Sequence, residues 1–76
     1  MNESLLRLAF ENIAPHIMNL EYMKNLIEQL VSSEIVPSRY IQALEKEKKD
    51  KDITIQTDIR ILISEFKHLR NKVFLE

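Results

Sequence analysis

Two histidines, a late Arg-Asn pair and one run of eight charged residues are the parts of this chain whose types suit chemistry. Imidazoles bind metals or move protons near neutral pH. His16 and His68 stand 52 positions apart, so no short ligand spacing joins them. Cysteine is absent, which excludes disulfides and thiolate zinc sites. His16 follows Pro15 on an apolar face and reads as a partly buried histidine beside a helix break. His68, between Lys67 and Leu69, reads as surface or dimer rim. Carboxylates abound, yet every Asp and Glu can occupy a polar helix face. A carboxylate pair that works as acid and base needs a pocket to push two pKa values apart. No nucleophile elbow, zinc-protease motif, P-loop or dinucleotide fingerprint is present. The expectation is a non-enzyme with no catalytic residue, cofactor or metal.

The elements that would position any site are helices. The 76 residues include no glycine, where average usage of about 7% would supply roughly five. Glycine serves left-handed caps, tight turns and phosphate-cradling loops. A chain without it suits helices joined by short links, and all-α is the expected fold class. Seventy-six residues allow one domain, 1–76. So short a chain buries only about 60% of its unfolded surface, and oligomerisation is the remaining way to add stability.

Apolar residues keep a helical period in two long blocks. In the first, Leu6, Ala9, Ile13, Leu20, Met23, Ile27 and Leu30 share one seam, widened by Phe10, Ile17 and Val31. Asn2 or Ser4 can cap its start, with Glu3 near the positive helix end. Pro15 interrupts the block at a cost of about 3 kcal/mol if the helix continues through it. The favoured outcome is a break near Pro15 and a second helix to about 33, started by Asn12 or Asn19; the other is one kinked helix. Residues 32–38 form a connection, since Pro37 pushes Val36 out of helical geometry. A helix over about 38–49 follows, with Tyr40, Ile41 and Leu44 inward. It ends in the run from Glu45 to Asp52, read as a solvated helix end plus a loop. In the last block Ile59, Leu62, Phe66, Leu69 and Val73 recur in steps of 3 and 4, broadened by Ile55 and Ile63. A long last helix over about 54–75 is expected, capped by Asp52, Thr54 or Thr57, with a short extended lead over Ile53-Thr54-Ile55 possible. The architecture is then a bundle of three to four helices completed by oligomerisation.

Two resemblances attach to these residues. Arg70-Asn71, late in a helical domain, resembles half of the ribonuclease motif of HEPN nucleases. That family needs a histidine roughly four to six residues after the arginine, where this chain has Phe74, Leu75 and Glu76, so the resemblance implies no activity. Over about residues 5–66, the pattern Tyr22-Met23, Leu26-Ile27, Leu30-Val31, Ile35-Val36, Ile41, Leu44-Glu45-Lys46-Glu47-Lys48, Ile59, Leu62-Ile63 and Phe66 resembles a caspase-recruitment domain. The resemblance implies a six-helix, death-fold-like domain that self-associates, although this chain is shorter and lacks the last helix.

Charge decides between partner classes. The net charge is −1, from 11 basic and 12 acidic residues. Residues 1–36 hold five acids against Arg7 and Lys24, giving −3. Residues 37–76 hold nine bases against seven acids, giving +2. Phosphate binding relies on an excess of Lys and Arg. Near neutrality favours a small protein–protein interaction module, a regulator, adaptor or inhibitor that binds another protein as a homodimer. Its candidate interface is the last helix: Ile55, Ile59, Ile61, Leu62, Ile63, Phe66, Leu69 and Val73. Ile61 lies off a stripe that is already wide, which suggests more apolar surface than one bundle covers. The alternative is a DNA-binding regulator of helix-turn-helix type. Its turn would lie at 32–37 and its groove contacts would be Arg39, Gln42, Lys46 and Lys49. No stretch nears the 18 apolar residues of a membrane span, and the start lacks the basic and apolar regions of a signal peptide. The expected compartment is the cytoplasm, with no membrane partner.

Overall fold

The first helix begins where the sequence supplies a cap. In the computed structural model, which describes residues 4–33 and 35–74, the Ser4 side chain accepts from the Leu6 amide at 3.2 Å and opens α1, Leu5–Ile13. Proline stops that helix. Pro15 sits in a 3₁₀ turn over Ala14–His16, and Ile17 behind it is extended. The chain therefore breaks at Pro15 rather than kinking. Helix α2, Leu20–Ser32, starts after Asn19, whose side chain makes no capping bond to it. Val36 is extended, and Pro37–Arg39 form a second 3₁₀ turn leading into α3, Tyr40–Lys48. Asp52 then caps α4, Ile53–Phe74, accepting from the Ile55 amide at 3.0 Å and the Thr54 hydroxyl at 2.7 Å. Helix thus begins at Ile53 itself, and the extended lead does not form, because this cap outweighs the local β-branched preference.

Among the described residues the fold is all-α: 84% helical, with four α-helices and no strand. The six helices implied by the caspase-recruitment resemblance are not formed. The link between α3 and α4 needs one residue in the left-handed region. With no glycine to use, the chain places Asp50 there at φ 64°, Asp being among the few side chains that tolerate it.

One core joins all four helices. Leu6, Ala9, Met23, Ile27, Leu44, Ile59, Leu62 and Phe66 are buried at its centre. Helix α4 packs most extensively against α1 and next against α3. The ring of Tyr40 lies 5.9 Å from that of Phe66, tilted by 54°, and the Arg70 guanidinium caps the same Phe66 ring at 5.7 Å. The seam through Pro15 does not stay continuous. The break rotates the chain, so Leu20 is 48% exposed while its seam neighbours Ile13 and Met23 are buried. His16, expected to be partly buried, is exposed on the 3₁₀ turn.

Candidate interaction surface

The most consequential polar residue is one that sequence reasoning assigned to a solvated face. Asp58 is 1% exposed. Its Oδ1 accepts from the Met18 amide at 3.2 Å. Its Oδ2 accepts from the Asn19 amide at 2.7 Å and from Asn19 Nδ2 at 3.0 Å. Asn19 Nδ2 also reaches Thr54 Oγ1 at 3.2 Å. The carboxylate of α4 therefore satisfies amides at the start of α2, where unpaired N–H groups and the helix dipole favour an anion. A buried carboxylate survives because donors surround it. The signal was available in sequence: Asp58 stands four residues after Thr54 and four before Leu62, next to Ile59, on the apolar stripe rather than opposite it.

This junction holds an apolar group in solvent. Met18, Leu20 and Ile53 are the most exposed large apolar residues of their neighbourhoods, at 65%, 48% and 67%. Each is one of the hydrogen-bonded residues or the immediate neighbour of one. A second apolar pair, Ile35 and Val36, is exposed on the α2–α3 link.

The expected interface on α4 is largely spent on the chain's own core. Ile59, Leu62, Ile63, Phe66 and Leu69 are buried, and Ile55 and Ile61 are half-buried. The Val73 side chain lies outside the described residues. The chain covers this stripe by packing α1 and α3 against α4, so the surplus apolar surface inferred from Ile61 amounts to part of that side chain. Ile61 borders a shallow depression with Ile13, Ser64, Glu65 and His68.

Of the four residues named as nucleic-acid contacts, three share one surface depression and Lys49 is not part of its lining. Arg39, Gln42 and Lys46 line one groove with Ile35 and Ala43. Lys49 is exposed at the end of the same helix. The acids between them are engaged elsewhere: Glu45 pairs with Lys48 at 3.2 Å and Glu47 with Lys51 at 3.5 Å. Glu47 also accepts from the Tyr22 hydroxyl. Burial, that hydrogen bond and the nearby negative charge push the Tyr22 phenol up to about 12. Lys67, Arg70 and Asn71 line another depression with Ile41. The seven residues between Ser32 and Tyr40 are longer than the turn of three or four that joins a helix-turn-helix. Of the positions where the HEPN pattern places histidine, Phe74 is the last described residue of α4, and Leu75 and Glu76 lie outside the described residues.

Two carboxylates are lowered by their partners. Arg7 binds Glu28 in a two-pronged contact at 2.7 and 3.0 Å and holds its carboxyl below the usual range. The Ile55 amide and the Thr54 hydroxyl do the same for Asp52. Among the described residues no group of three or more His, Asp or Glu is placed to hold a metal ion, and no helix is long and apolar enough to cross a membrane.

Comparison with known proteins places the chain in a family. Residues 3–71 match the MJ1579 family. Over 61 residues the chain is 34% identical to the uncharacterized protein MJ1579 of Methanocaldococcus jannaschii, covering 80% of this chain and 83% of that protein. No solved structure matches the chain.

Proposed function

This chain belongs to the MJ1579 family, and we propose that it is a small helical protein–protein interaction module that acts by binding other chains, including a second copy of itself. The observation that supports this is the apolar group of Met18, Leu20 and Ile53, exposed around the Asn19–Thr54–Asp58 junction. The hydrogen-bonded frame fixes the backbone that carries these side chains, so docking has to order only the side chains themselves. Small folds gain stability from oligomerisation, and a two-fold dimer is the commonest form. A regulator or adaptor of this kind works in the cytoplasm and needs no cofactor.

Light scattering at micromolar concentration tests the self-association. A dimeric mass that falls to monomer in Met18→Ser/Leu20→Ser/Ile53→Ser, with the helical spectrum kept, is the expected result. A monomeric wild type removes the homodimer.

A second reading, DNA binding, draws on Arg39, Gln42 and Lys46 sharing one groove. Under it, random duplex would be retarded in a mobility shift, and affinity would fall by orders of magnitude between about 50 and 200 mM salt. No shift at low micromolar protein and near-physiological salt is the outcome we expect.

A further inference from the structure

We infer that the groove between the α2–α3 link and α3 receives an acidic, amphipathic helical segment of a partner protein. The inference rests on the protein-binding reading but uses a different surface from the self-association patch.

The groove is shallow and open, with an apolar part of its lining (its floor) and a cationic part (its wall). Ile35 and Ala43 lie within it, and Val36 beside it is exposed. Arg39, Gln42, Lys46 and Lys49 recur in steps of 3, 4 and 3, so they fall on one side of the turn and helix that carry them. All four are exposed. Arg39, Lys46 and Lys49 have no carboxylate partner among the described residues. Between residues 35 and 49 four bases (Arg39, Lys46, Lys48, Lys49) stand against two acids, Glu45 and Glu47. Glu45 is paired with Lys48, one of the four, and Glu47 with Lys51, which leaves Arg39, Lys46 and Lys49 as the cations of this stretch unpaired among the described residues.

Such a wall attracts negative charge, and the floor decides which kind. Single-stranded nucleic acid stacks its bases on exposed aromatic rings, but Tyr40 and Phe66 are 6% and 1% exposed, both inside the core. Duplex would set phosphates against Ile35 and Val36. An amphipathic helix matches both parts: carboxylates two turns apart meet Arg39 and Lys46, and apolar side chains between them cover Ile35 and Ala43. Helix α3 of nine residues is about 13 Å long, enough for two to three turns of a partner.

The test is an NMR titration of the full isotope-labelled chain. The probe is a synthetic peptide of about 15 residues with Glu and Leu on opposite helix faces, the length at which a helix begins to be self-supporting. The same peptide with Lys for Glu, and a random DNA duplex, run in parallel. Saturable shifts centred on residues 35–46 with the acidic peptide alone are expected, weakening as salt rises. Arg39→Glu/Lys46→Glu should lower the affinity about tenfold or more, and its spectral dispersion reports directly whether the fold is kept. Gln42→Glu is the milder companion and should weaken binding in the same sense. No saturable shift with the acidic peptide, equal response to the lysine peptide, shifts centred elsewhere, or DNA shifting these residues in its place would each overturn the inference. A dimer by light scattering with no peptide response would leave the self-association standing and remove only this groove.

Discussion

Asp58 is where single-residue chemistry matters most. Three donors converge on a carboxylate that water does not reach. Asp58→Asn keeps the shape but turns an NH2 group toward N–H donors, leaving at least one unsatisfied. We expect a loss of about 1–3 kcal/mol in urea unfolding; an unchanged midpoint would show that solvent supplies the missing acceptor. Tyr22 supplies a pH effect of definite sign. Its folded pKa, near 12, lies above the ordinary value of 10.0. The folded state therefore holds this proton more tightly than the unfolded chain does. The stability it contributes is complete below pH 10 and is lost as pH rises toward 12. Glu47→Gln removes the repelling charge, so ultraviolet titration should find the phenol ionising at lower pH than in wild type. On the acid side the signs reverse for Glu28 and Asp52, whose lowered pKa values give stability that is complete above the unfolded carboxylate range and is lost as pH falls from that range through their lower folded values.

At the scale of elements, caps and breaks carry the design. Ser4 and Asp52 open α1 and α4 by bonds a reader of the sequence could name. The start of α2 differs, because its amides near Asn19 are served by Asp58, 39 residues away in the chain. The α3–α4 link shows the consequence of having no glycine. Asp50 stands at φ 64°, where a side chain costs up to about 1–2 kcal/mol and Asp somewhat less. Asp50→Gly should raise stability by about 0.5–1 kcal/mol, read as a higher melting temperature with an unchanged far-ultraviolet spectrum. A lower melting temperature would mean that the aspartate is held by contacts worth more than its strain.

For the whole molecule, the core is small enough that one side chain can decide folding. Phe66 is buried against Tyr40 and Arg70. Phe66→Ala should cost about 3–5 kcal/mol, comparable to the total stability of many small domains. We expect calorimetry to show a melt that is largely lost at room temperature. A cooperative melt with little change in midpoint would mean that the core closes around the cavity without loss. The same packing explains why α4 is a poor interface. A stripe of Ile59, Leu62, Ile63, Phe66 and Leu69 looks identical in sequence whether it faces a partner or its own chain. The folded chain turns it inward, and what remains for partners is a different set: Met18, Leu20, Ile53, Ile35 and Val36.

By itself the sequence determined the helices. Their period, the two prolines, the caps at Ser4 and Asp52 and the absence of glycine are local properties, set by a few neighbouring residues. The break at Pro15 and the start of α4 were legible for the same reason. Tertiary structure decided which faces became core. It exposed Leu20 and His16, buried Asp58 and gathered Arg39, Gln42 and Lys46 into one groove with Ile35. Helical period gives the angle between residues on one helix, but only packing gives the angle of one helix to the next. A seam broken by a proline, or a carboxylate lying on a stripe, acquires its environment from that second angle.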